Sequence, residues 1–142
     1  MRFRCILNQL PPSTTTSNNM AHSPAFLALI DSVHSSVPDV TVEHTRARLR
    51  ANPDLKFVDV REDSEWAAGH ASGAIHIGKG VIERDIEEKI PDKNAELILY
   101  CGGGFRSVLA ADALKKMGYT NVSSMAGGWR EWQVVGAPTE EP

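Results

Sequence analysis

Leu97-Ile98-Leu99-Tyr100-Cys101-Gly102-Gly103-Gly104-Phe105-Arg106-Ser107 is the stretch on which the reading of this chain turns. The apolar run from Leu97 to Tyr100 fits a strand buried on both faces, as in a parallel sheet covered by helices. The glycines that follow permit a tight loop, and Arg106 opens a helical pattern. Ala110, Ala113, Leu114 and Met117 share one face of that helix, and Gly118 suits its C-cap. A strand, a glycine loop and a helix start, in that order, build an anion site. The first-turn amides have no intrahelical acceptor, and the helix dipole favours negative charge there. Cys101 is therefore expected to be reactive at neutral pH, with Gly102, Gly103, Gly104, Phe105, Arg106 and Ser107 as its cradle. A free cysteine is often no more than a small buried hydrophobe. The glycine run and the arginine after it favour the reactive reading.

Working outward from this stretch, apolar strands alternate with helical patterns. Lys56-Phe57-Val58-Asp59-Val60 reads as a buried strand, Thr41-Val42 and Asn121 to Ser124 as short strands, and Ala74 to Ile77 as a short extended piece. Glu43 to Arg50 and Glu62 to Ala68 read as helices. Ile82, Ile86 and Ile90 make a one-faced helix stopped by Pro91. Gly127-Gly128 turns into a short helix carrying Trp129 and Trp132 as core anchors. Strands alternating with helices predict an α/β domain with a mostly parallel central sheet and helices on both faces. The domain spans 40–134. Ahead of it, Ser23 as N-cap and Pro24 at the first helical position start an amphipathic lead-in helix within 20–39, which Pro38 stops. Residues 135–142 are expected to be a frayed acidic tail, and residues 1–19 a disordered extension.

Composition excludes several classes. The 142 residues suffice for one domain with a real core, and a net charge of −3 gives no basic stripe for nucleic acid. Cys5 and Cys101 are far apart and unlike in setting, so they form no disulfide framework, and no zinc-finger spacing occurs. The apolar piece Cys5-Ile6-Leu7 is too short for a membrane span or a signal-peptide core. A cytoplasmic protein with a free thiol is the expectation. No cofactor and no metal is expected. His70 and His76 have no third ligand at plausible spacing and read as structural turn histidines.

The spacing after Cys101 narrows the chemistry. Four residues separate it from Arg106. One more would make a bowl sized for a phosphate, as in cysteine phosphatases; the shorter bowl suits a sulfur atom borne on the cysteine. The motifs Asp59-Val60-Arg61-Glu62, Gly69-His70-Ala71-Ser72-Gly73-Ala74, Cys101 to Ser107 and Gly127-Gly128-Trp129 together resemble a single-domain rhodanese-like sulfurtransferase. The resemblance runs from about Val40 to Gln133, with the motifs in the family's order. Two departures are visible. The family usually has Ile-Pro where this chain has Ala71-Ser72, which is expected to loosen that turn. The loop also lacks the extra cation that thiosulfate-preferring relatives often carry, which weakens thiosulfate as the physiological donor.

The resemblance implies a ping-pong enzyme. Cys101 takes a sulfane sulfur from thiosulfate, mercaptopyruvate or a protein persulfide, then passes it to cyanide, a thiol or a protein cysteine. Asp59 and Arg61 are expected to orient the wall of the site through charged hydrogen bonds, with Glu65 as the partner of Arg61. Phe105, in an exposed loop, is expected to line the pocket mouth. The competing readings are a non-catalytic rhodanese-like interaction module and, less favoured, an arsenate or phosphate-ester enzyme, which needs a longer loop.

Overall fold

Five short strands pair in parallel to make the sheet that carries the loop. The computed structural model describes residues 22–142, so the extension expected over 1–19 lies outside the described residues. The chain divides into two units, one ending at Ser32 and one beginning at Val33. Helix α1 covers Pro24–His34. Ser23 caps it, its Oγ accepting from the Phe26 amide at 3.1 Å. The helix stops before Pro38 because the Ser36 and Val37 amides turn back to Val33 O and His34 O.

From Val33 onward the elements are β1 (Asp39–Val40), α2 (Val42–Ala51), β2 (Lys56–Asp59), α3 (Asp63–Ala67), β3 (His70–Ala71) and β4 (Ile75–His76). Then follow α4 (Ile82–Lys89), β5 (Leu97–Tyr100), α5 (Arg106–Lys116), β6 (Val122–Met125), α6 (Gly128–Val134) and β7 (Thr139–Glu140). The five-stranded sheet has the order β1-β6-β5-β2-β4, and every pair in it is parallel. Strand β5 lies at the centre, with Leu97 to Tyr100 in register with Lys56 to Asp59 and all four of its residues buried. That is why it reads as an uninterrupted apolar run rather than an alternation.

Alternation along the central strands divides the core. Phe57, Ile98 and Tyr100 join Val42 of α2, Met125 of β6 and Trp132 of α6 in one apolar cluster. Val58, Leu97 and Leu99 point the other way and are also buried. Helix α5 packs on β5 and β6, with Leu114 and Val108 buried and α4 against it. Helices thus cover both faces, as expected for this α/β class.

Two local expectations are corrected. Thr41 is not in a strand: it caps α2, its Oγ1 accepting from the His44 amide at 2.9 Å, and the strand is the preceding Asp39–Val40. A threonine directly before a helical run serves better as a cap than as a strand residue. The C-terminal residues expected to fray instead hold the domain. Strand β7 pairs antiparallel with β3, His70 opposite Glu140 and Ala71 opposite Thr139. Pro138 O accepts from both the Ser72 amide at 3.0 Å and Trp132 Nε1 at 2.7 Å. The Ser72 bond also answers the expected loosening of this turn, because a proline at that position would have no amide to donate.

Candidate active site

Cys101 follows directly on β5 and is buried, with 1% of its surface exposed. Its Sγ accepts the Gly104 amide at 3.2 Å and lies 3.5 Å from Ser107 Oγ. Ser107 opens α5 together with Arg106, and its hydroxyl lies 2.8 Å from Ser124 Oγ on β6. Both serines are buried, so the sulfur stands at one end of an enclosed polar chain. Gly104 has φ of +103°, the left-handed region that glycine supplies without strain, and this turn brings its amide back onto the sulfur.

The first turn of α6 fastens the loop from outside. Trp129 N–H donates to Cys101 O at 2.7 Å and Arg130 N–H to Gly102 O at 3.1 Å. Gly128, at φ +56°, makes this approach possible: a β-carbon there would run into Cys101 O and stand 2.9 Å from Gly102 C. Gly127-Gly128 therefore makes a turn whose close packing holds the cysteine loop, in line with the turn expected from the sequence.

Three guanidinium groups surround the loop, each in a different state. Arg61 is buried and paired with Asp59, Nη2 to Oδ2 at 2.8 Å, while a second donation from Nη2 reaches Gly69 O at 2.7 Å. Burial is the largest single influence and works against its charge. The hydrogen bond to Asp59 and the negative charges around it, Asp59 foremost, together outweigh burial, so its pKa is raised. It also lies 4.8 Å from the Trp129 ring, linking the wall to α6. Asp59 and Arg61 thus form a buried, hydrogen-bonded ion pair at the end of β2.

Arg106 is the second. Its side chain turns back over the loop, where a β-carbon on Gly102 would stand 3.0 Å from its Nη2. Both of its terminal nitrogens donate to Glu65 of α3, at 2.8 and 3.1 Å. Glu65 is therefore the partner of Arg106, not of Arg61, because Arg61 is turned inward onto Asp59. The pKa of Arg106 is raised, first by Glu65 and then, against the cost of burial, by the Cys101 sulfur.

Arg130 is the third, and nothing in the sequence reading pointed to it. A β-carbon at Gly103 would stand 3.3 Å from its Nη1. The side chain is exposed, and among the described residues it has no carboxylate partner. Ser124 was also missed. Its only sequence signal is its place on the strand beside the cysteine strand, and that of Arg130 is its place just after Gly127-Gly128-Trp129.

The remaining candidates lie in structural contacts. His70 stacks on Trp66, ring centroids 3.3 Å apart, with Nδ1 at 3.1 Å from Trp66 O. His76 Nε2 lies 2.8 Å from Arg61 O. Trp132 is buried, and Trp129 is half-buried against the same core. Phe105 is half-buried at the start of α5. Burial, more than the Asp59 charge, keeps the buried Tyr100 hydroxyl protonated well above its ordinary range, and that hydroxyl accepts the Ala71 amide at 3.0 Å.

Comparison with known proteins agrees with this fold. A family model described as a rhodanese-like domain matches residues 41–134. YrkF of Bacillus subtilis, which carries a sulfur-carrier name, is 33% identical over 98 residues. The match covers 69% of this chain and 52% of YrkF, so the chain spans about half the length of that relative. The thiosulfate sulfurtransferase PspE of Escherichia coli is 36% identical over 75 residues, covering 53% of this chain and 71% of PspE. Among solved structures, the rhodanese-like domain of the Alr3790 protein from Anabaena superposes with a TM-score of 0.67 at 26% identity. That superposition covers 74% of this chain and 80% of that one. No helix among the described residues is long and apolar enough to cross a membrane.

Proposed function

The chain belongs to the rhodanese-like domain family, and we propose that it is a sulfurtransferase that carries sulfur as a persulfide on Cys101. The observation that supports this most is the sulfur itself. Cys101 Sγ sits at the carboxyl end of the central strand, accepts the Gly104 amide at 3.2 Å, and lies beside Arg106 in a short glycine loop. Ligand sites in open α/β sheets lie beyond the strands' carboxyl ends.

In the first half-reaction the thiolate attacks the outer sulfur of the donor. The new bond joins Sγ to that sulfur, and the old bond's electron pair leaves with the rest of the donor. The persulfide formed is an anion, held by amides of the loop from Gly102 to Ser107. Removing one donor of this kind costs other enzymes on the order of 3 kcal/mol. In the second half-reaction cyanide, a thiol or a partner's cysteine takes the outer sulfur and Cys101 leaves as thiolate. No general base is needed with thiosulfate or a persulfide donor, since neither half-reaction then moves a proton when the nucleophiles arrive as anions. With mercaptopyruvate the donor's thiol proton passes to the departing pyruvate enolate. Free Cys101 fits a reducing compartment such as the cytoplasm.

Steady-state rates with thiosulfate, mercaptopyruvate and a protein persulfide, each with cyanide as acceptor, test the cycle. Parallel double-reciprocal lines for at least one donor are expected. Intersecting lines with every donor, or thiocyanate formation that survives Cys101→Ser, would contradict it.

A further inference from the structure

We propose that Arg130 selects the sulfur donor, by pairing with the oxyanion of a small anionic sulfane-sulfur compound above Gly103. The inference rests on the persulfide reading, because it names the donor class of the same site. It begins from charge. When thiosulfate meets the Cys101 thiolate, one monoanion and one dianion share a small volume, and they leave as a persulfide monoanion and sulfite dianion. The sulfane sulfur moves to Sγ, the S–S bond of thiosulfate breaks, and its electron pair departs on sulfite. Net charge and electrons balance with no further reactant. A site for this step must offset the dianion before and after transfer.

Two of the three guanidinium groups at the loop are already committed. Arg61 is buried on Asp59, and Arg106 gives both terminal nitrogens to Glu65. Each forms a locally neutral pair, leaving little positive charge for a ligand. Arg130 is the exception. Its backbone is bonded to Gly102 O, which sets the root of the side chain on the loop. Its guanidinium occupies the space over Gly103, where a β-carbon would stand 3.3 Å from Nη1, 3.8 Å from Nη2 and 3.9 Å from Cζ. Exposed and without a carboxylate partner among the described residues, it can turn its planar fork to an oxyanion.

This supplies from α6 the cation that the loop itself lacks between Cys101 and Arg106. The loop alone weakens thiosulfate as the physiological donor, and Arg130 offsets that deficit. A donor whose leaving group is sulfite, or carries a carboxylate, can use this cation; a neutral persulfide cannot.

The test has two arms. In the first, persulfide loading of the full chain is measured against thiosulfate concentration, for wild type, Arg130→Gln and Arg130→Lys. Arg130→Gln is expected to raise the half-saturating concentration about tenfold or more, the usual worth of a charge-assisted bond. The maximal extent of loading should be unchanged, and Arg130→Lys should recover most of the loss. Equal half-saturation in wild type and Arg130→Gln would overturn the proposal. In the second arm, thiosulfate binding to Cys101→Ser, which cannot take sulfur, is measured by calorimetry with and without Arg130→Gln. Binding that weakens about tenfold supports the anion site even if no sulfur transfer is ever seen. Binding that is absent, or indifferent to Arg130, overturns it even where another donor loads Cys101, and then the persulfide reading stands without it.

Discussion

Glu65 links three parts of the site through one carboxylate. It accepts the Glu62 amide at the start of α3 and both terminal nitrogens of Arg106, which lies over the cysteine loop. Its pKa falls from an ordinary 4.5 to about 2, first because Arg106 donates to it and against the opposing cost of burial. A depressed carboxylate stabilises the fold fully above its unfolded value, and that stabilisation is lost as pH falls toward the folded one. The Glu65–Arg106 contribution is therefore complete above about pH 4.5 and lost between there and about pH 2. Each side chain is about a third exposed, so screening keeps the pair near ~1 kcal/mol. Urea unfolding of wild type and Glu65→Gln should show wild type more stable at pH 6, with the gap narrowing by pH 3. A gap that stays constant would mean the carboxylate's charge is not what holds the loop. The sequence placed Glu65 one helical turn from Arg61 and paired them on that ground. It could not show that Arg61 turns inward to Asp59, since a buried pair formed within the strand's end leaves no helical spacing.

At the scale of elements, what was legible followed local physics. Leu97 to Tyr100 announces a central strand because burial on both faces demands an unbroken apolar run. Arg106 to Lys116 announces a helix through its apolar face and its glycine stop. Thr41 was misread because threonine suits both a strand and a helix cap, and only the His44 amide decides between them. The pairing of His70-Ala71 with Thr139-Glu140 was invisible, since two-residue strands far apart in sequence carry no period. Helix α6 shows how an element can serve a site that it does not contain. Its first turn donates to the carbonyls of Cys101 and Gly102, and only glycine at 128 permits that approach. Gly128→Ala would force the helix away from the loop and strain a left-handed backbone. We expect it to lower stability by about 3 kcal/mol and to cut sulfur transfer more steeply than stability alone explains. The measurement is unfolding in urea beside turnover at a temperature where the variant is folded. Wild-type turnover in Gly128→Ala would show that α6 does not position the loop.

Across the whole molecule, the site draws on three neighbouring strands of the sheet and on three helices. The sulfur comes from β5, its amide from the loop, its serine chain from α5 and β6, and its charged wall from β2. The carboxylate that restrains Arg106 comes from α3, and the open guanidinium from α6. The sequence revealed the parts that lie next to the cysteine, because their spacing is local and steric. It concealed Ser124 and Arg130, because their place at the site is created only when β6 and α6 fold against β5. The account stands on one chemical claim, that Cys101 bears the transferred sulfur. Intact mass of the full chain after incubation with thiosulfate, mercaptopyruvate or a protein persulfide reads that claim directly. A gain of one sulfur in wild type, removed by cyanide and absent in Cys101→Ser, is the predicted result; a wild-type chain that gains no sulfur from any of these donors would contradict it.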